Sequence, residues 1–209
     1  ARIAWRRIDP MPEYKGIVVT FSKNGAPVEN VFAPTVSPEY GDVFFEAKEP
    51  GEYYVYYMPY REVKREWNPF PEYFETEQSS PLWLAKVESI ALEVLRGDIP
   101  KNVIRAATLR LESNGKSNSF CEMEIPATVE EKESFLSSHE ERSIVFFQEP
   151  VSSPIRKGDK MPVHWVHSGP QAECRASGTA GELLFFQLGA LATKKDLIHL
   201  QMGCIGLQD

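Results

Sequence analysis

The stretch Gly51-Glu52-Tyr53-Tyr54-Val55-Tyr56-Tyr57-Met58-Pro59-Tyr60 decides the fold, and it holds five of the chain's eight tyrosines. Aromatic and β-branched residues favour a pleated strand. Glu49-Pro50-Gly51 turns the chain into this strand, and Pro59 stops it. Alternation puts Tyr53, Val55 and Tyr57 on one face and Tyr54, Tyr56 and Met58 on the other. Both faces are bulky, and two readings fit. One is a central strand covered by a second sheet and by a helix. The other is a stacking platform for a sugar, made of flat apolar rings with polar rims.

Outward from this strand the same grammar repeats. Gly16 to Phe21 reads as a strand, and Lys23-Asn24-Gly25-Ala26 supplies an Asn-Gly turn. Val28 to Phe32 and Asp42 to Glu46 read as further strands. Residues 61–78, with Trp67-Asn68-Pro69-Phe70-Pro71-Glu72-Tyr73-Phe74, read as a long ordered loop. Ser80-Pro81 starts a helix, with Ser80 as N-cap and Pro81 in the first turn. Trp83, Val87, Ile90, Ala91 and Val94 recur at helical spacing, and Arg96-Gly97 closes the helix, about residues 81–95.

Asn102 to Glu112 returns to strand, followed by an Asn-Gly turn at Ser113-Asn114-Gly115-Lys116. Thr128-Val129-Glu130-Glu131 matches the capping-box pattern, so a short helix begins at Thr128. Ser143 to Gln148, Val163 to Val166, Gly181 to Leu191 and Leu197 to Cys204 read as strands. The expected fold is mainly β: two sandwich-like units, one over 1–112 and one over 113–209, with a helix packed on the first and a short connecting helix. The second unit has few strands and reads as incomplete.

Charge and composition narrow the functions. The net charge is −7, from 23 basic and 30 acidic residues. Both parts are acidic, with 14 basic against 17 acidic residues before Ser113 and 9 against 13 after Glu112. Nucleic-acid binding needs a basic face, and none is visible. No apolar run approaches the ~20 residues that span a bilayer. Cys121, Cys174 and Cys204 show no C-x-x-C spacing, so a zinc ribbon is not expected and their thiol state is open. No phosphate-binding or dinucleotide glycine fingerprint occurs, and no G-x-S-x-G elbow. No cofactor or metal is expected.

The remaining chemistry-bearing residues read mostly as structure. Glu130-Glu131 and Glu140-Glu141 are adjacent pairs on or beside a polar helix, which suits a solvated face better than the flanking carboxylates of glycoside hydrolysis. His164 and His167 are three apart. On a strand they face opposite sides and share no metal, whereas on a loop they could. The candidate sugar contacts are Tyr57, Tyr60, Trp67 and Tyr73.

Several phrases in order resemble one family: Trp5-Arg6-Arg7-Ile8-Asp9-Pro10, Gly51 to Tyr60, Ser119 to Thr128, Pro154-Ile155-Arg156 and Gly181 to Gly189. Together they resemble the N-terminal β-rich region of glycoside hydrolase family 123-like proteins, large secreted bacterial proteins often found in Bacteroidetes. The resemblance runs from about Trp5 to the end, and departs at Cys121, where an aromatic residue is expected. In that family a TIM-like barrel follows this region and acts as a substrate-assisted β-N-acetylgalactosaminidase with an adjacent Asp-Glu pair. A TIM barrel needs about 250 residues. This chain has 209 and no Asp-Glu dipeptide, so no catalytic residue carries over.

The resemblance therefore implies a non-catalytic accessory module, secreted, periplasmic or at the cell surface, with a downstream catalytic domain of the same polypeptide as its partner. Ala1 is no initiator Met, which fits a processed or excised piece. An autonomous carbohydrate-binding module that takes a glycan, and a scaffolding sandwich, are the alternatives.

Overall fold

In the computed structural model, residues 1–65, 68–76, 78–113, 119–155, 160–171, 173, 175, 177–194 and 201 are described. The chain divides into two compact units, Ala1–Ser119 and Phe120–Asp209. Among the described residues it is mainly β, with nine strands in several small sheets.

The first unit holds β1 (Arg2–Ile3), β2 (Ile17–Phe21), β3 (Val31–Val36), β4 (Gly41–Phe45), β5 (Tyr53–Tyr57), β6 (Tyr60–Arg65), β7 (Asn68–Tyr73) and helix α1 (Pro81–Leu95). One sheet has the order β1-β4-β3, and two antiparallel ribbons pair β2 with β5 and β6 with β7. The three-stranded sheet and the β2–β5 ribbon share one core. Ile3, Trp5, Ile17, Val19 and Val43 fill it, with Tyr53, Val55 and Tyr57 packed against them. Alternation along β5 is thus as expected: its odd residues face the core, while Tyr54 and Tyr56 stay exposed.

The expected turn chemistry holds locally. Gly25 has φ +70°, which suits glycine, and Asn24 Oδ1 accepts the Ala26 N–H at 3.0 Å. Gly41 admits no side chain, because a Cβ there would overlap the Trp5 ring. Helix α1 starts at Pro81 with Ser80 in the N-cap position, but the Ser80 side chain makes no capping bond. Its entry is fixed one residue earlier. Ser79 Oγ accepts the Val31 N–H and donates to the Val31 carbonyl, each at 2.8 Å. Helix α1 therefore lies against β3 and leaves the outer face of β5 open.

Two expectations in this unit are corrected. Residues 61–78 are not one long loop, because the β6–β7 hairpin occupies most of them. Pro69 and Pro71 pair with Lys64 and Glu62. They are two apart, so both missing N–H groups fall on the same edge of a two-stranded ribbon, where no ladder bond is lost. Asn102 to Glu112 forms no strand. Its alternation suits one, but no described strand offers it a ladder, and Ile104 is 93% exposed.

The second unit holds α2 (Val129–Ser138), β8 (Ile144–Pro150), α3 (Val163–Ser168) and β9 (Phe186–Ala192). The antiparallel β8–β9 ribbon buries Val145, Phe147 and Glu149. Its core is Met123, Phe135, Val145, Phe147, Met161 and Trp165. The capping box forms as expected: Thr128 Oγ1 accepts the Glu131 N–H at 3.1 Å, and Glu131 Oε2 accepts the Thr128 N–H at 2.9 Å.

Val163 to Val166 is a short helix rather than a strand. The carbonyls of Ile125 and Glu122 accept the Val163 and His164 N–H groups, which satisfies two of the donors a helix start leaves open. Gly169, at φ +70°, ends it. The strand expected from Gly181 begins only at Phe186. The turn at 114–118 and all but Gln201 of the 197–204 strand lie outside the described residues.

Candidate functional site

Three of the four residues singled out in the sequence come together in the first unit. Lys15 leaves a short 3-10 turn (Pro12–Tyr14) and enters β2. Its Nζ sits 4.5 Å from the Tyr60 ring centroid, 5.2 Å from Tyr57 and 5.4 Å from Tyr73. Three phenol rings from β5, β6 and β7 thus surround one ammonium, an arrangement that the ring quadrupole favours. Trp67 lies outside the described residues.

The counter-charge is Asp9, whose Oδ2 is 2.7 Å from Lys15 Nζ; the two side chains are 1% and 5% exposed. Asp9 Oδ1 accepts the Tyr73 hydroxyl at 2.6 Å and the Met11 N–H at 3.0 Å. Burial, then the hydrogen bond to Asp9, pushes the Tyr73 phenol well above the usual tyrosine range. Burial, then the Asp9 charge, does the same to Tyr57. Tyr57 also packs against Trp5 in a tilted pair, 4.4 Å between ring centroids, and its buried hydroxyl has no hydrogen-bond partner among the described residues. Exposed Tyr14 flanks the cluster, 6.1 Å from Tyr73.

The pattern was half legible. The tyrosines stood out in sequence, but Lys15 and Asp9 did not, because nothing in a lone Lys or Asp marks it as buried.

The second unit carries a smaller polar cluster. On helix α3, His164 and His167 share a side and donate Nδ1–H to the two oxygens of Glu122, at 3.3 and 3.2 Å. These two bonds hold the Glu122 carboxyl below the usual carboxylate range. Beneath them, buried Glu149 accepts the Trp165 indole N–H at 2.9 Å. The strand reading had separated these histidines; the helix joins them.

Among the described residues, no group of three or more His, Cys, Asp or Glu is arranged to hold a metal ion. His139 stacks on Phe135 instead. Of the paired carboxylates, Glu131 is committed to the capping box. Cys121 is exposed, while Cys174 and Cys204 lie outside the described residues. No described helix is long and apolar enough to cross a membrane.

No curated protein and no solved structure matches the chain. One family does: residues 1–114, over half of the 209, match the N-terminal domain of glycoside hydrolase 123. The match covers nearly all of the first unit, including the Lys15 cluster, and so the chain belongs to the glycoside hydrolase 123 N-terminal domain family.

Proposed function

We propose that this chain is a non-catalytic accessory module of a secreted carbohydrate-active protein, and that it supports or orients a downstream catalytic domain of the same polypeptide. The family match carries this reading, since the matched region is the N-terminal domain of a glycoside hydrolase family. The Lys15 cluster supports it physically. One buried ion pair ties the N-terminal segment to three strands through Tyr57, Tyr60 and Tyr73, which makes a rigid base and commits these rings to the chain's own lysine.

The test is an assay of the chain on an aryl N-acetylgalactosaminide. No release of the aryl group is expected. Turnover that disappears when Glu122 or Glu149 is replaced by Gln would overturn the reading. In a polypeptide that carries the catalytic domain, breaking the cluster with Lys15→Met is expected to lower that domain's thermal stability.

A second reading is an autonomous carbohydrate-binding module that uses Tyr57, Tyr60, Trp67 and Tyr73. The Lys15 ammonium, packed against the Tyr57, Tyr60 and Tyr73 rings, and the 49° tilt between Tyr60 and Tyr73 weigh against it.

A further inference from the structure

The β8–β9 ribbon is covered along one edge and open along the other. On β8, the Phe146 carbonyl accepts the Gln171 N–H at 2.9 Å, and the Gln148 N–H donates to Gln171 Oε1 at 2.9 Å. The Gln148 amide also bonds the Arg175 N–H and carbonyl, at 2.9 and 3.1 Å. On β9, the Thr193 N–H donates to the Ser143 carbonyl at 3.2 Å, and bonded and unbonded pairs alternate along an antiparallel ladder. Gln187, Gly189 and Leu191 therefore bond to β8, while the N–H and C=O groups of Phe186, Leu188, Ala190 and Ala192 point away from it. Among the described residues no strand pairs with them.

Open edges are ordinarily blunted by Lys, Pro, a bulge or an inward-pointing charge. The strand Phe186-Gln187-Leu188-Gly189-Ala190-Leu191-Ala192 has no charge and no Pro, and its register with β8 runs without a bulge. The ribbon face turned from the core is apolar as well. Its rungs set Ile144 beside Ala192, Phe146 beside Ala190 and Pro150 beside Phe186. Leu184 and Phe185 continue this surface next to Phe186, and Phe185 is 71% exposed. The exposed parts of Phe146, Leu184, Phe185, Phe186 and Leu188 come to on the order of 500 Å². A specific interface takes about 800 Å² per partner, and the backbone edge adds to the side chains.

The sequence of β9 says what fits this edge. A second copy of β9, laid antiparallel along its full length, places the two-fold axis at Gly189. The outward-pointing residues then meet in the phase that a ladder requires, Phe186 opposite Ala192 of the second copy and Leu188 opposite its Ala190, each pair exchanging two backbone bonds. Each bulky side chain on the apolar face thus lies beside an alanine. Gly189 meets its own copy in an unbonded pair, where the Cα atoms come to about 4.5 Å and glycine suits the close approach. A two-fold interface asks for this self-complementarity, and no charge on β9 opposes it.

We infer that β9 is a homodimerisation strand: two copies of this chain join edge to edge about Gly189 into one continuous antiparallel sheet. The inference does not depend on the accessory reading.

The experiment is sedimentation of the whole chain over a concentration series, with hydrogen exchange followed amide by amide. A reversible equilibrium that stops at the dimer is expected. The Leu188, Ala190 and Ala192 amides should exchange more slowly as the dimer fills, while those of Gln187, Gly189 and Leu191 are protected at every concentration. Ala190→Pro removes an N–H that β8 does not use, and Leu188→Lys puts a charge on the edge; each is expected to abolish the dimer. Leu92→Lys, on the exposed side of α1, should leave it intact. The exchange pattern of the unaltered chain decides the matter even if a variant fails to fold. A monomer at all concentrations up to about 1 mM overturns the inference, and so does a dimer that survives both edge substitutions. Protection of the Leu188, Ala190 and Ala192 amides in the monomer overturns it by giving the edge to the chain's own residues. Growth beyond the dimer overturns it too, because symmetric pairing uses up the open edge. None of these outcomes bears on the accessory reading, which fails on turnover by the chain.

Discussion

Lys15 Nζ lies 2.7 Å from Asp9 Oδ2, and both side chains are nearly sealed from solvent. Moving two charges out of water costs several kcal/mol each unless good geometry and further hydrogen bonds offset it. Here Asp9 takes two more hydrogen bonds and Lys15 three aromatic faces. The pair therefore joins pieces of chain that are far apart in sequence, from Asp9 to Tyr73.

Removing one partner is expected to be worse than removing both. Lys15→Met leaves Asp9 charged and buried, and should lower unfolding stability by about 3–5 kcal/mol. Lys15→Met with Asp9→Leu should recover part of that loss. Urea midpoints for the three proteins check it, and equal losses in the single and double variants would contradict it.

Tyr73→Phe keeps the ring and removes only the hydroxyl that donates to Asp9 at 2.6 Å. A hydrogen bond to a charged group contributes about 1.5–3 kcal/mol, and the loss of stability should fall in that range. Alkaline titration reports the same site. Tyr57 and Tyr73 hold their protons more tightly folded than unfolded. Their contribution is therefore complete below the ordinary tyrosine value of about 10 and is lost as pH rises above it. Ultraviolet absorbance of phenolate should show these two tyrosines ionising after the exposed ones, and unfolding stability should fall over the same alkaline range.

What could be read in advance follows the range of the interactions. The strand at Tyr53–Tyr57, the Asn24-Gly25 turn and the Thr128–Glu131 capping box each depend on neighbours within a few residues, and each formed as expected. The β6–β7 hairpin was hidden because Pro69 and Pro71 are rare in strands, and only pairing shows that both fall on one free edge. Helix α3 was hidden because Val163-His164-Trp165-Val166 has strand-like side chains. Its start is secured by carbonyls of Glu122 and Ile125, about 40 residues earlier. The tyrosines of the candidate site were conspicuous, but their occupant was not, since burial of Lys15 depends on strands that meet only in the fold.

The capping box is local enough to test singly. Thr128→Ala removes the acceptor of the Glu131 N–H and should cost about 1 kcal/mol, read as a lower urea midpoint with an unchanged slope. Thr128→Ser should retain most of the stability, because the hydroxyl is what accepts the bond.

Two glycines mark places where the cores leave no room. A Cβ on Gly189 would lie 2.5 Å from Trp165 Cζ2, and one on Gly41 would overlap Trp5. The Trp165 ring is held on both sides, stacked on Phe147 at 4.2 Å and bonded to Glu149. It cannot retreat without breaking one of them. Gly189→Ala should therefore cost about 1–3 kcal/mol through overpacking, and tryptophan fluorescence should shift as the indole is displaced. Gly97→Ala is the contrast: no atom lies within 4 Å of a Cβ there, but φ is +101°, so its cost comes from backbone strain and leaves the tryptophan signal unmoved.

The Glu122 carboxylate offers a test in acid. It sits at the surface with an imidazole N–H on each oxygen, and hydrogen bonds to the charged form favour that form. The folded value is lowered, so the contribution is present above the unfolded carboxyl value and lost as pH falls through the folded one. Carboxyl resonances should show Glu122 titrating below the ordinary glutamate value. His164→Ala should raise its midpoint part of the way, and His167→Ala alone should do likewise. With both replaced, Glu122 should titrate with the other surface glutamates. If the midpoint stays low in the double variant, the two histidines are not its cause.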